Sequence, residues 1–249
     1  MTIKTYKTKK VIPGDSLEEV LDTSLPALSE NSIAVITSKI IAICQGDVVK
    51  NDKSLDKNQL IRKEAELFID EPSLSQYHVM LTVKRDMIIA NAGIDESNGN
   101  GYLILWPKNV DKAALKVWYF LKQKFSLKNL GVIISESRTV PLRWGTLGVG
   151  LAWCGFAALK NYIGTPDIFG RSLKMTKLSI LDGLSAAAVT VMGEGNEQTP
   201  LAVISDVPFV TFQDRPPTQE EYDSVRISLV DDIYSPLTNS PKWKKGHCQ

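Results

Sequence analysis

The chain has 249 residues, of which 43% are hydrophobic and 23% charged, so it is long enough to bury a substantial globular core. Its 29 basic residues balance 28 acidic ones, and the net charge of +1 gives no general attraction to nucleic acid or to a membrane. The charged N-terminal segment lacks the apolar run of a secretory signal, and the three scattered cysteines favour reduced thiols. We therefore expect a cytoplasmic protein that binds neither nucleic acid nor a membrane.

The first half of the chain predicts short helices and strands. Ser16 and Glu19 have the spacing of a capping box, which predicts the start of a helix. The hydrophobic patterns then predict a strand over 31–37, a helix over 54–69, a hairpin over 78–95 that turns at 84–86, and a strand over 101–107. An amphipathic helix follows over 110–125, and we expect its buried stripe to contain Leu115, Trp118, Tyr119 and Leu121.

The second half contains more strands than helices. The patterns predict a buried strand over 129–137, a glycine-rich strand with close backbone approach or a bulge over 144–156, a half-exposed strand over 172–180, a helix over 181–195 and a strand over 200–210. Thr218 and Glu221 form a second capping box, at a short helix over 217–227. Because the strands do not alternate regularly with helices, the fold class is α+β, an irregular α/β arrangement that is not doubly wound.

Three acidic residues, Asp95, Glu136 and Glu194, each lie where an apolar element ends. Rigid elements commonly present functional groups at such positions. Carboxylates gathered from separate segments repel one another unless a cation lies between them, and Mg²⁺ or Mn²⁺ is the natural counter-charge, held by carboxylates and phosphate oxygens. Neutral oxygen donors stand beside the acids in the sequence at Ser97, Asn98 and Ser137. A metal site is therefore one hypothesis for these segments.

Each of these residues also has a purely structural interpretation. Residues 95–98 have the composition of a turn, and Glu136 can be a solvated charge at a strand end. Glu194 ends a helix, where the helix dipole disfavours an anion, and this misplacement favours a function. Lys39, Arg143 and Arg171 are candidates for contact with phosphate, although each is also interpretable as a surface charge. A phosphate loop, a zinc motif and a histidine-based triad are not indicated.

Five strings in chain order carry a family resemblance: ITSKIIAICQGDVV, ANAGIDESN, GVIISESRTVPLRWGTLGVGLAWCGF, NYIGTPDIFGRSLKMT and DGLSAAAVTVMGEGNEQTPLAVI. Together they resemble the γ-glutamyl ligases of the deazaflavin coenzyme F-420 over roughly residues 32–210. The resemblance implies a fold of intertwined subdomains with mixed and antiparallel sheets and packed helices. It implies a catalytic domain over 1–215, and we expect a C-terminal helix and flexible tail over 216–249.

The same resemblance implies a reaction and its cosubstrates. Members of the family are homodimers that use a nucleoside triphosphate, usually GTP, and two divalent metal ions. They join L-glutamate to an acceptor carboxylate by a γ-glutamyl amide bond. An acyl phosphate is the expected intermediate, because a carboxylate is a poor electrophile until it is phosphorylated. The implied partners here are GTP or ATP, Mg²⁺ or Mn²⁺, L-glutamate, and a folate or F-420-type acceptor.

The resemblance also assigns roles to residues of this chain. It implies metal ligation by Asp95, Glu136, Ser137 and Glu194. We expect Lys39 and Arg143 to stabilise the transferred phosphoryl group as catalytic residues. The remaining candidates for nucleotide or substrate binding are Ser38, Gln45, Ser97, Asn98, Arg171 and Gln198.

Three departures from the family pattern affect these expectations. The aspartate of the family's TDT string is Glu136 here, one methylene longer, and the glycine-arginine that follows is replaced by Thr139 and Val140. The family's SKAEG string reads AICQG, with Gln45 in place of the glutamate. These changes favour an acceptor other than F-420-0, with folate as the first candidate. They also keep open an alternative, a nucleotide- or metal-binding homologue that has lost the reaction.

Overall fold

A computed structural model of the chain describes residues 1–70, 77–239 and 243–247. The first elements are β1 (Thr2–Tyr6), α1 (Leu17–Ser24), β2 (Ser32–Thr37), α2 (Ser38–Gln45), β3 (Val48–Lys50), α3 (Lys57–Glu64), β4 (Leu67–Ile69), β5 (Leu81–Lys84), β6 (Met87–Ala90), β7 (Tyr102–Ile104) and α4 (Val110–Phe125). They are followed by β8 (Leu130–Thr139), β9 (Thr146–Cys154), β10 (Leu159–Asn161), β11 (Lys177–Ser179), α5 (Ile180–Met192), β12 (Leu201–Ser205), α6 (Gln219–Ser224), α7 (Ser235–Thr238) and β13 (Trp243–Lys245).

A five-stranded mixed sheet in the order β1–β12–β2–β8–β9 forms the centre of the fold. Within it β2 and β8 are parallel, whereas the other neighbouring pairs are antiparallel. The side chains of the parallel pair are apolar on both faces because helices cover both, as expected for strands in the middle of three layers. We refer to this sheet and its helices as the large unit.

The two faces of the large unit pack against different helices. Ala34 and Ile36 of β2 belong to a cluster with α1, α2 and α4, and Ile33 and Val35 belong to a second cluster with α5. This alternation follows from the period of two along a strand. The glycine-rich strand allows α5 to lie close, since a Cβ at Gly148 would lie 2.3 Å from the Ser185 carbonyl oxygen. The predicted close approach is confirmed, and the register of β9 also shifts opposite Ile134.

A smaller unit is formed mainly by the segment that precedes α4 in the chain, together with β13 from near the C-terminus. It contains an antiparallel sheet in the order β13–β4–β5–β6, the two-stranded β3–β7 pair and α3. Its own cluster of apolar side chains comprises Ile61, Ala65, Phe68, Met80, Ala92, Ile94, Leu103 and Leu105. This unit positions the segment around Asp95, which follows β6 and pairs with Ile104 of β7.

Most predicted elements are confirmed, as is the α+β class with mixed and antiparallel sheets. The hairpin turns at Arg85 and Asp86, both with positive φ, as in a tight two-residue connection. Ser16 caps α1 by accepting from the Glu19 amide, and Thr218 and Glu221 form the complete capping box of α6. Cys44 and Cys154 are free thiols, and Cys248 lies outside the described residues.

Four expectations are corrected. The predicted helix over 54–69 ends at Glu64, because Leu67–Ile69 are all apolar and form β4 of the small sheet. The strand predicted over 172–180 is ordered as a strand only at Lys177–Ser179. Tyr119 is exposed, since it lies off the buried stripe of α4 that Trp118 and Leu121 share. The expected loose tail contains β13, which pairs antiparallel with β4.

Within the described residues, no helix has the length and apolar character needed to span a bilayer. The division of the chain at residue 215 and the cytoplasmic location stay predictions.

Candidate active site

The carboxyl ends of the two parallel strands meet at one edge of the large sheet, and the sequence becomes polar there. Thr37, the last residue of β2, pairs with Ser135 of β8, and both strands are apolar and buried before this point. β2 leads directly into α2, whose first residues are Ser38 and Lys39. β8 continues past the pair with Glu136 and Ser137. Ligands commonly bind at such an edge of parallel strands.

Glu136 and Ser137 contact different segments, the start of α2 and the segment after α5, because successive strand residues point to opposite faces. The Ser38 hydroxyl at the start of α2 donates to Glu136 Oε2. The Ser137 hydroxyl donates to Glu194 Oε1 at 2.7 Å, which ties β8 to the segment after α5. Two of the predicted acids are therefore connected through one strand.

The third acid, Asp95, forms an ion pair with Lys39, which the sequence analysis proposes as a catalytic residue. Lys39 Nζ lies 2.6 Å from Asp95 Oδ2 and donates to both the carbonyl and the hydroxyl oxygen of Ser97 at 3.1 Å. The Ser97 amide donates to Asp95 Oδ1 at 2.7 Å. Asn98 Nδ2 donates to the Gly195 carbonyl at 3.1 Å, so the Asp95 segment touches the residue after Glu194. The three acidic segments therefore meet at one place.

The pKa values of the two best-connected acids shift in opposite directions. Burial disfavours the charge of Asp95, but the Lys39 ammonium and the two Ser97 bonds outweigh it and hold its pKa below the ordinary value. At Glu136 burial dominates, and with the neighbouring Asp95 charge it raises the pKa despite hydrogen bonds from Ser38 and Ser137. Glu136 is thus the acid whose charge lacks compensation.

The donor set fits a divalent cation in its chemistry. Three carboxylates and the Ser137 hydroxyl are hard oxygen ligands of the kind that Mg²⁺ and Mn²⁺ take. In the parts of the chain described, however, no three histidine, cysteine, aspartate or glutamate side chains stand close enough to hold one ion together. The ammonium of Lys39 neutralises Asp95 instead. A divalent ion would therefore compete with Lys39 for this carboxylate.

The other predicted residues divide into two groups. Ser38, Ser97 and Asn98 belong to the cluster. Gln198 lies beyond Glu194 along the chain, and its Nε2 donates to the Thr8 carbonyl at 2.6 Å, next to the segment after β1. Gln45 is exposed at the far end of α2, about 10 Å along the helix from Ser38.

The two predicted arginines are exposed on loops. Arg143 lies in the connection between β8 and β9. Arg171 lies between β10 and β11, where its backbone amide donates to Asp167 Oδ1 at 2.9 Å. Neither guanidinium contacts the acidic cluster within the described residues. A shallow cavity beside α4, lined by Trp118, Lys122 and Arg215 among others, also contains none of the predicted site residues.

The sequence analysis did not single out Arg138 or Thr82. Arg138 is half-buried and lies two residues beyond Glu136 on the same face of β8, and its Nε is buried with no hydrogen-bond partner among the residues described. The strand period could have indicated this position. Thr82 contacts the turn that precedes Asp95. That contact joins residues ten apart across a hairpin, and no local pattern signals it.

The chain is similar to known proteins over most of its length. A family model described as F420-0:Gamma-glutamyl ligase matches residues 5–206. A curated relative from Methanococcus maripaludis strain C7, named Coenzyme F420:L-glutamate ligase, is 34% identical over 200 residues, which cover 75% of this chain and 80% of the relative. Relatives with the same name from Methanocaldococcus jannaschii and Methanopyrus kandleri are 32% and 30% identical, over 73% and 78% of this chain and 79% and 82% of their own lengths.

Proposed function

This chain belongs to the F420-0:gamma-glutamyl ligase family, and from that membership and the site geometry we propose that it joins L-glutamate to an acceptor carboxylate in an NTP- and metal-dependent reaction. The observation that carries the proposal is the meeting of three acids from distant segments at one sheet edge, through the Ser137–Glu194 and Lys39–Asp95 contacts. Both the family strings and the spatial cluster select these acids.

The chemistry proposed is an activation followed by an amide-forming step. An oxygen of the acceptor carboxylate attacks the γ-phosphorus of the nucleotide, and the nucleoside diphosphate leaves. The amine of glutamate then attacks the carbonyl carbon of the acyl phosphate, loses a proton and expels phosphate. Water must be excluded while the acyl phosphate exists, because hydrolysis would release the acceptor unchanged.

The residues of this chain take distinct parts in the proposal. Asp95, Glu136, Ser137 and Glu194 would hold two divalent ions, which when bound neutralise the charge of the phosphates. Lys39 belongs to the same cluster, and after release from Asp95 its ammonium would contact a phosphoryl oxygen. Ser38, Ser97 and Asn98 supply neutral donors beside it.

Residues outside the cluster are proposed to contact the substrates. Gln198 follows Glu194 along the chain and donates to the Thr8 carbonyl, and Gln45, Arg143 and Arg171 are exposed. Arg138 offers a positive charge close to where the family's arginine is replaced by Val140. Its buried Nε, which has no hydrogen-bond partner among the residues that the structure describes, supports contact with an anionic oxygen of a substrate.

Two acceptors are proposed for the reaction. The relatives are named for coenzyme F420, which makes F-420-0 the first acceptor to test. The substitutions at Glu136, Thr139, Val140 and Gln45 favour folate as the second. GTP and ATP are both to be tested as the phosphoryl donor.

We also propose that the protein acts as a homodimer. Two connecting loops of the large unit expose large apolar side chains that a monomer would leave in water: Leu142, Trp144, Ile168, Phe169 and Met175. Large apolar side chains exposed in number are typical of an association surface, and their burial between two copies is what the proposal expects.

One observation favours the second candidate, a homologue that binds nucleotide or metal without turnover. The Lys39 ammonium already neutralises Asp95, and burial raises the pKa of Glu136. The acids therefore depend only in part on a metal ion for their counter-charge. The two candidates differ in whether the acceptor gains mass.

The test incubates the purified protein with GTP or ATP, Mg²⁺ or Mn²⁺ and L-glutamate, offering F-420-0 and tetrahydrofolate in separate reactions. The proposal expects mass increments of whole glutamyl residues on one acceptor, together with stoichiometric release of phosphate. Increments on F-420-0 alone would remove the folate hypothesis. Nucleotide binding without a mass increment on either acceptor would contradict ligation and support the non-catalytic homologue.

A further inference from the structure

Three consecutive residues before Asp95 adopt the left-handed conformation. Their φ angles are 52° at Asn91, 55° at Ala92 and 72° at Gly93. The amide of Ile94 closes the turn by donating to the Asn91 carbonyl at 3.0 Å. Left-handed backbone is unfavourable for residues with a Cβ, so Asn91 and Ala92 hold this shape only if their surroundings impose it.

Gly93 could not be replaced by a larger residue in this turn. In addition to its positive φ, a Cβ at this position would lie 2.1 Å from Nε1 of the buried Trp106. The indole therefore lies directly beneath the turn. It limits the turn from one side without forming a hydrogen bond to it, because Trp106 Nε1 has no partner in the described part of the chain.

Hydrogen bonds from β5 impose the shape from the other side. Asn91 exchanges two bonds with the backbone of Met80, one through its own amide and one through its Oδ1. The amide of Ala92 donates to the Thr82 hydroxyl at 2.8 Å, and that hydroxyl donates in turn to the Ile89 carbonyl at 2.5 Å. Thr82 is fully buried, so no water replaces these bonds if the hydroxyl is lost.

The turn is one of two supports of Asp95. On its other side the Asp95 backbone exchanges two bonds with Ile104 of β7. The pair with β7 fixes where Asp95 lies along that strand, and the turn fixes the direction from which the chain arrives from β6.

We propose that Thr82 is a positioning residue for Asp95: its buried hydroxyl holds the left-handed turn and so presents the carboxylate to the acidic cluster. The proposal rests on the metal-binding part of the proposed function. Groups that orient a metal ligand from behind usually change affinity by about 10- to 100-fold when removed. Thr82→Val keeps the shape of the side chain and removes both hydrogen bonds, and Thr82→Ser keeps both.

The experiment measures the dissociation constant for Mn²⁺ by isothermal titration calorimetry on the full-length chain. We expect Thr82→Val to weaken Mn²⁺ binding by about 10-fold or more, and Thr82→Ser to bind as the wild type does. Ser32→Ala is the matched control. Like Thr82, Ser32 is fully buried, and its hydroxyl donates one hydrogen bond, to the Ser29 carbonyl at 2.6 Å, but it lies at the opposite end of β2 from Ser38. It should lower thermal stability and leave Mn²⁺ affinity unchanged.

A second readout needs no metal. Amide hydrogen exchange in EDTA should show faster exchange for residues 91–95 in Thr82→Val than in Thr82→Ser, relative to the strands of the large sheet. If Thr82→Val does not fold, Thr82→Ala removes the same hydroxyl without adding a branched apolar group.

The outcomes separate the two proposals. A folded Thr82→Val protein with wild-type Mn²⁺ affinity and unchanged exchange at 91–95 would overturn the role of Thr82. Failure of the wild-type protein to bind Mn²⁺ would refute the metal site, and the exchange measurement would then still decide whether Thr82 orders the turn.

Discussion

The small unit contributes Asp95 to the acidic cluster and the large unit contributes Glu136 and Glu194, and the surroundings of Asp95 and Glu136 are opposite in character. Asp95, from the small unit, is paired with Lys39 at 2.6 Å and is more acidic than usual. Glu136, from the large sheet, is desolvated and receives only hydroxyl and amide hydrogen bonds, and it is less acidic than usual. One carboxylate already has its counter-charge, and the other does not.

This difference indicates where an added cation stabilises the protein most. A divalent ion at Glu136 supplies a counter-charge to a desolvated carboxylate, whereas at Asp95 it only replaces an ammonium. Pairs of acids whose environments separate their pKa values commonly mark functional sites. The experiments below change one side of this contrast at a time.

The largest effect is expected from removing either acid. Asp95→Asn and Glu136→Gln should each reduce ligase turnover by more than about 100-fold, the upper range seen when groups merely behind a metal ligand are lost. Turnover is measured as glutamyl transfer at saturating nucleotide and acceptor. Glu96→Gln is the matched control, since Glu96 is paired with Lys57 at 2.7 Å and Asn51 at 2.8 Å outside the cluster. Equal losses in all three variants would contradict the assignment.

Replacing Lys39 should separate binding from turnover. In Lys39→Met no ammonium competes for Asp95, so Mn²⁺ should bind more tightly than in the wild type. Turnover should nevertheless fall by about 10²- to 10³-fold, because a positive charge near the transferred phosphoryl group is lost. Calorimetry and steady-state assays measure the two quantities. Weaker Mn²⁺ binding in Lys39→Met would show that the lysine supports the metal site and does not compete with it.

A smaller effect concerns stability without metal. Because the pKa of Glu136 is higher in the fold than in the unfolded chain, its contribution favours folding at low pH and is lost as pH rises through the folded value. Glu136→Gln should therefore raise the melting temperature in EDTA at neutral pH and change it little at acidic pH. Thermal unfolding at the two pH values tests this. A lower melting temperature at neutral pH would contradict the uncompensated charge.

The smallest effect is expected at an acid far from the cluster. Hydrogen bonds from Arg215 at 2.7 and 2.9 Å are the main reason that the pKa of Glu221 falls to about 2. Its stabilising contribution is present above the unfolded value and is lost as pH falls toward about 2. Glu221→Gln should cost about 1 kcal/mol at neutral pH and leave turnover unchanged. A loss of turnover would contradict the assignment of Glu221 and Arg215 as a purely structural ion pair.

Sequence patterns predicted those features of the fold and the site that are determined within a single segment of the chain. The apolar runs of β2 and β8, the amphipathic α4 and both helix caps follow from local periodicity and hydrogen bonding. The acids could be found because each interrupts an apolar element. Their meeting was an expectation from the family strings, and the structure provides the contacts.

What the sequence could not provide depends on tertiary neighbours. The pairing of Lys39 with Asp95 joins residues in two different units, and the support of Ala92 by Thr82 crosses a hairpin. The strand at Trp243–Lys245 forms only because β4 offers a free edge, which no property of the tail reveals. Arg143 is exposed in the connection between β8 and β9, and its catalytic role stays a prediction.

The most direct test of the account is a crystal structure of the protein with Mn²⁺ and a non-hydrolysable GTP analogue. Anomalous scattering from manganese locates the ions independently of the surrounding atoms. The account predicts manganese coordinated by Asp95, Glu136, Ser137 and Glu194, with Lys39 Nζ moved from Asp95 to a phosphate oxygen. Nucleotide bound elsewhere, or manganese absent from these carboxylates while Lys39 still pairs with Asp95, would contradict it.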